Sequence, residues 1–187
     1  MKTSLSDKRV IVGIDPASAG AAVILHDDDV VAVALWKKCV RKKRKLFKVS
    51  ISYENEVKTM LVRTPAHIGN LISNMPFLLS CNAIAVEDCY MSRNVRTAIF
   101  LARIGASIAA PLEVKSGFPA IYVKANIWRS VVLSIGGRTK REAVKRISLA
   151  EIPKLLPSLK HHINKLGQHD HITDAAGIAL WLIKTST

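Results

Sequence analysis

The stretch Arg9–Gly20, RVIVGIDPASAG, decides how the rest of the chain is read. Arg9 to Ile14 is mostly β-branched and scarcely alternates with polar residues, which suits a buried strand. Asp15 stands at the end of that strand, and Pro16 stops the ladder because it has no N–H to donate. The small residues that follow let backbone or a ligand come close. Asp15 therefore reads either as the cap of a turn or as a carboxylate mounted at a strand end, where it can hold a metal ion.

Composition narrows the class. Of the 187 residues, 49% are hydrophobic and 22% charged, a globular rather than a disordered balance. A single domain over residues 1–187 with a sizeable core is expected. No uncharged apolar run is long enough to span a bilayer, and the N-terminus lacks a signal-peptide core, so a cytoplasmic setting without a membrane partner is expected. Cys39, Cys81 and Cys89 are too few and too irregular for a disulfide framework or a zinc motif, and read as reduced thiols. Lys and Arg number 28 against 14 acids, a formal net charge of +14. Such an excess favours polyanions through counterion release, with nucleic acid ahead of an anionic membrane surface.

Working outward from Asp15, Ala21 to His26 and Val30 to Leu35 read as strands joined by a hairpin at Asp27, Asp28 and Asp29. The run from Trp36 to Lys48, WKKCVRKKRKLFK, holds five consecutive cations, Arg41, Lys42, Lys43, Arg44 and Lys45. It is either a solvated loop or edge strand, or a segment lying on a phosphate backbone. Glu54 to Asn74 carries apolar residues at broadly helical spacing, with a break before Pro65. Ala83 to Val86 reads as a short strand with Glu87 and Asp88 at its carboxyl end, where sites gather in open α/β sheets. Val95 to Ala110 reads as a helix with small residues at Ala98, Ala102, Gly105, Ala106 and Ala109, which serve either packing on its own sheet or a subunit interface. Ala120 to Val123 reads as a strand. Asn126 to Ser134 and Lys140 to Leu149 read as helices, and Pro153 and Pro157 mark a loop-rich connection. Ile172 to Ile183 is a helix with Asp170, His171 and Asp174 at its start.

Asp15, Glu87 and Asp174 thus lie at the ends of three separate elements, and His171 shares a helix face with Asp174. Their convergence would suit hard divalent ions, Mg²⁺ or Mn²⁺, and the in-line displacement of a phosphodiester. The histidines His161, His162, His169 and His171 match no zinc spacing and read as surface residues plus one Mg²⁺ ligand.

Four segments now carry a family likeness: IVGIDPASAG, AVEDCYMSRN with the Ala-rich helix after it, SIGGRTKREAV and HITDAAGIALW. In this order and spacing the chain resembles a RuvC-type Holliday junction resolvase of the RNase H-like superfamily. The resemblance covers most of the chain apart from Trp36 to Lys48 and Glu151 to Gln168. It implies an α/β fold, a mixed sheet whose first three strands are antiparallel, with helices on both faces. It implies a magnesium-dependent crossover junction endodeoxyribonuclease that resolves four-way DNA junctions as a homodimer and leaves a 5′-phosphate. A broader branched-DNA nuclease acting on flaps and forks, and a non-catalytic branched-DNA binder, are the alternatives. By position the resemblance makes Asp15, Glu87 (on the family's fourth strand), His171 and Asp174 metal ligands. His171 stands where many members carry aspartate and some histidine. Lys140 and Arg129 match basic positions near the scissile phosphate. Tyr90 matches an aromatic that stacks on unpaired bases, or is a half-buried core ring. Ser92, Arg93 and Asn94 extend this strand-end loop toward DNA. Ala17 departs from the glycine usual after Pro16.

Overall fold

The computed structural model describes residues 9–41, 43–88, 95–167 and 169–186. The chain opens with five strands: β1 (Val10–Asp15), β2 (Ala19–His26), β3 (Asp29–Arg41), β4 (Arg44–Tyr53) and β5 (Glu56–Val62). Each is antiparallel to the one before. Helix α1 (Pro65–Ser73) and a 3-10 turn (Pro76–Ser80) lead to β6 (Cys81–Asp88). Helix α2 (Val95–Ser116), β7 (Ala120–Lys124), α3 (Ala125–Leu133), α4 (Arg141–Leu155), α5 (Leu159–Leu166) and α6 (Asp170–Thr185) complete the order. The sheet runs β5-β4-β3-β2-β1-β6-β7, and β6 and β7 are parallel to β1. This is the expected mixed sheet, with β1 near its middle.

Helices cover both faces. Val12, Ile14, Ile24, Ile84, Ile104 and Ile108 pack on the face under α1 and α2. Ile11, Val23, Trp128, Ile152, Ile172 and Ile178 pack on the other, under α3 to α6. All six residues of β1 are buried, which explains the unbroken apolar run. Because side chains alternate across a strand, Ile11, Gly13 and Asp15 face α6. A Cβ at Gly13 would collide with the Ala175 carbonyl and come within 2.6 Å of the Ala179 nitrogen. A Cβ at Gly177 would run into the Trp128 ring. These two glycines let α6 lie directly on the β1 backbone and let α3 close over α6.

Several sequence expectations are corrected. The Glu54–Asn74 segment is not one helix: β5 occupies Glu56–Val62, and the helix is confined to Pro65–Ser73, with Thr64 as N-cap and Pro65 in its first turn. Glu54, at φ 50°, turns the chain between β4 and β5. Because β4 and β5 extend the sheet beyond β3, the strand that carries Glu87 is the sixth in this chain, where the sequence alone showed three before it. The basic run is no loop, and its strands are open at both edges beyond Lys37 and Phe47. It is the outer part of the β3–β4 hairpin, beyond the residues of β4 that β5 pairs with. Pro153 lies inside α4, and α5 occupies part of the expected loop-rich connection. His162 is buried, not superficial: its ring bonds the Ser52 hydroxyl and the Val30 carbonyl at 2.9 and 3.1 Å, tying α5 to β3 and β4. Ala98, Gly105 and Ala109 face the protein's own core, with Gly105 against Pro16 and Val86, so they form no subunit seam. By length and composition α2 is apolar enough to cross a membrane, though one face of it packs on α1 and β6.

A methyl group added by Gly13→Ala has no space, and is expected to destabilise the fold by about 1–3 kcal/mol in urea unfolding. Gly136→Ala, where nothing lies within 4 Å of the added carbon, serves as the control and is expected to cost far less.

Candidate active site

The site is built where β1, β6, α3 and the first turns of α6 meet. Ile14 and Val86 are register partners on adjacent parallel strands, so Asp15 and Glu87 follow side by side, roughly 5 Å apart. Helix α6 starts over the same strand ends, and its first turns bring His171 and Asp174 to them. His171 Nδ1 donates to Asp15 Oδ2 at 2.6 Å, a short charge-assisted bond. The carboxylate acceptor places the proton on Nδ1 and leaves Nε2 as the nitrogen open to another partner. Asp170, the chain neighbour of His171, is paired with Lys145 of α4.

Arg129 stands among the acids. Its Nη2 donates to Asp174 Oδ2 at 3.1 Å and lies 3.9 Å from Glu87 Oε2. The neighbouring Trp128 is wholly buried, and its Nε1–H donates to Glu87 Oε2 at 2.9 Å. The Arg129 guanidinium packs 4.9 Å from the Trp128 ring centroid. Nothing in the local sequence marks Trp128 or Lys145 as part of the site. Trp128 occupies an ordinary apolar position of α3, and nothing in its spacing marks a ligand to Glu87.

Burial raises Glu87 and Asp174. Burial pushes the Glu87 carboxyl up to about 7, the Asp15 charge adds to this, and the Trp128 N–H and Arg129 pull it down. Burial takes Asp174 up to about 6, with Arg129 opposing. His171 is raised, first by its bond to Asp15 and against its own desolvation. Asp170 is lowered, chiefly by Lys145.

Among the described residues no three His, Cys, Asp or Glu side chains converge as an ion-holding set. Arg129 stands between Glu87 and Asp174, and Asp15 is held by His171. The donor chemistry nonetheless suits a hard divalent ion. Three carboxylates share a small, mostly buried space, and a cation preferring oxygen ligands matches both their charge and their atom type.

The remaining sequence candidates are dispersed. Lys140 is exposed at the N-cap of α4 and makes none of the bonds that tie the cluster together. Tyr90, Ser92, Arg93, Asn94 and Lys42 lie outside the described residues. A cavity of about 1000 Å³ beside Arg129 is lined by Lys124, Asn126, Gly136, Thr139 and Asp88.

The basic hairpin projects beside this site. β2 pairs with β3 no further than Lys37, and β5 pairs with β4 no further than Phe47. The segment between them pairs only with itself. Alternation puts Lys37, Arg41, Arg44 and Lys48 on the face shared with α6, and a cavity of about 200 Å³ there is lined by Lys37, Lys48, His169 and His171. Lys38 and Lys45 point to the opposite face, where the Lys38 ammonium lies 5.4 Å from the Phe100 ring centroid of α2.

No protein-family model matches the chain. No curated protein matches it either. Solved structures do. Thermus thermophilus RuvC in complex with a Holliday junction substrate matches over 95% of this chain and 94% of its own, with TM-score 0.55 and 14% identity. A second Thermus thermophilus RuvC structure matches over 95% and 97%, with TM-score 0.54 and 16% identity. The chain has the RuvC fold, an RNase H-like α/β architecture. At this identity the likeness is one of architecture. On the RuvC fold, β1, β6 and α6 are the elements that carry Asp15, Glu87 and Asp174 here.

A carboxyl whose folded pKa exceeds its unfolded value weakens the fold at high pH, and the penalty fades as pH falls through the folded value. In chelator, Glu87→Gln is therefore expected to stabilise the protein by on the order of 1–3 kcal/mol at pH 8, because Gln still accepts from Trp128 without a charge. The gain should shrink toward pH 5. A urea midpoint difference constant across that range would contradict the account.

Proposed function

We propose that the chain is a divalent-metal-dependent endonuclease that resolves four-way DNA junctions, built as a single nuclease domain over residues 1–187. The observation that carries this reading is the meeting of Asp15, Glu87 and Asp174 at the ends of β1 and β6 and the start of α6, on the RuvC fold. The Thermus protein with that fold is seen with a Holliday junction substrate. A net charge of +14 around an acidic centre supports a polyanionic substrate.

Asp15, Glu87 and Asp174 would hold Mg²⁺, with Mn²⁺ able to substitute, and His171 Nε2 is the nitrogen available to join them. The ion supplies Lewis acidity and charge neutralisation for in-line hydrolysis of a phosphodiester. His171 orients Asp15 through Nδ1, and Trp128 orients Glu87 through its indole N–H. Lys124, Lys140 and Arg129 border the path of the cleaved strand. Lys37, Arg41, Arg44 and Lys48 grip a duplex arm along its phosphates, without reading bases. Tyr90, Arg93 and Asn94, which come after β6 in the sequence, are assigned to the crossover on the resemblance alone. The setting we propose is cytoplasmic.

A four-way junction has near-twofold symmetry and needs two cuts, which a C₂ dimer delivers in one encounter. With Ala98, Gly105 and Ala109 turned inward, the face of α2 left for such a seam is the exposed one, Ile99, Phe100, Ala102, Ala106 and Ala110.

Asp15→Asn is expected to abolish magnesium-dependent nicking of a synthetic four-way junction and to leave junction affinity within about threefold, since affinity rests on Lys and Arg. Light scattering should give the mass of two chains, and the wild type should linearise a supercoiled cruciform plasmid in one binding event. Full nicking by the Asn variant would remove Asp15 from the chemistry, and a monomer that linearises the plasmid in this way would remove the dimer.

Replacing Lys37, Arg41, Arg44 and Lys48 with Ser should weaken junction binding and lower the salt slope of log affinity by about two to four, roughly one per lost phosphate contact. An unchanged slope would make the hairpin a solvated surface.

A further inference from the structure

Arg129 is the unusual member of the cluster. Its guanidinium supplies positive charge at the place where Glu87 and Asp174 would otherwise face a metal ion, with Nη2 3.1 Å from one and 3.9 Å from the other. A cation and this guanidinium cannot both stand between those oxygens. The guanidinium is also poorly satisfied, because its buried Nε has no hydrogen-bond partner. Its side chain is 25% exposed and borders the cavity that also holds Lys124, Asn126, Gly136 and Thr139. Only Asp88 is acidic on that lining, so a phosphate entering there would meet two cations, Lys124 and Arg129, beside the polar groups of Asn126 and Thr139.

We propose that Arg129 is an electrostatic latch that couples metal loading to DNA binding. It rests on the nuclease reading above. Without DNA, Arg129 closes on Asp174 and Glu87 and competes with the ion. When a backbone phosphate enters the adjoining cavity, its charge draws the guanidinium off the acids through a forked phosphate contact, and the carboxylates are released to the metal. Trp128 stays in place through its bond to Glu87 and gives the guanidinium a flat surface to slide over. Arg129 is thus a positioning residue acting through Glu87 and Asp174. By linkage, metal and DNA raise each other's affinity by one common factor.

The test is calorimetric and needs no cleavage. Ca²⁺ is titrated into metal-free wild type, Arg129→Gln and Arg129→Lys, alone and with a four-way junction. Near-ultraviolet circular dichroism and urea unfolding check that each variant is folded. Arg129→Gln alone is expected to bind Ca²⁺ about tenfold more tightly than wild type, within the usual range of a coupling between sites. The junction should tighten Ca²⁺ binding about tenfold in wild type and less than twofold in Arg129→Gln. Arg129→Lys should fall between, since it keeps the charge and loses the fork. Equal or weaker Ca²⁺ binding by folded Arg129→Gln overturns the latch while leaving the nuclease reading standing. No Ca²⁺ binding by wild type with or without the junction overturns the metal centre, and the latch with it.

Discussion

Everything at the site depends on how closely α6 lies on β1. Backbone meets backbone there because Gly13 has no side chain between the strand and Ala175. Gly177 repeats the arrangement on the outer side of α6, where it receives the Trp128 ring. Had either position carried a larger residue, α6 would ride higher or tilt. His171 could not then reach Asp15 at 2.6 Å, and Trp128 could not reach Glu87 at 2.9 Å. Close packing, not any single polar contact, sets the geometry of the polar cluster.

The polar cluster pays for its position in electrostatics. Carboxylates from three elements lie close together, and burial first, then the neighbouring charges, raises the proton affinity of Glu87 and Asp174. Arg129 and the Trp128 indole oppose this from one side and His171 from the other. Such a centre is stable as it stands only because it carries its own cations and donors. That makes it responsive to any stronger cation or any competing anion, the arrangement expected where charge must be exchanged during function.

The rest of the protein is electrostatically opposite. The β3–β4 hairpin projects past its sheet neighbours and presents Lys37, Arg41, Arg44 and Lys48 on the side of the acids. Its two strands pair without a break from Ala32 and Tyr53 out to Arg41 and Arg44, so these cations are held in a row along a ladder. Buried His162 secures the other end of this hairpin by clamping α5 to Ser52 and Val30, and its desolvation lowers its affinity for a proton. A rigid basic arm beside a crowded acidic centre is what a substrate of linked phosphates requires.

The sequence by itself determined the elements whose pattern is local. β1 was legible from its unbroken apolar run, α6 from its apolar spacing, and Asp15, Glu87 and Asp174 from their places at element ends. The mixed sheet with helices on both faces was expected from the family resemblance that four ordered segments carry. What the sequence left open was decided by partners distant in the chain. Val57, Met60 and Leu61 satisfy a helical spacing, yet they form β5 because β4 offers an open edge to pair with. Ala98, Gly105 and Ala109 look alike whether they meet a second subunit or their own sheet, and only the packing of α2 on β6 chose. The bond from Trp128 to Glu87 and the placement of Arg129 between two acids span more than forty positions of chain. No local periodicity encodes such contacts, because they exist only once α3 has folded onto α6 over the strand ends.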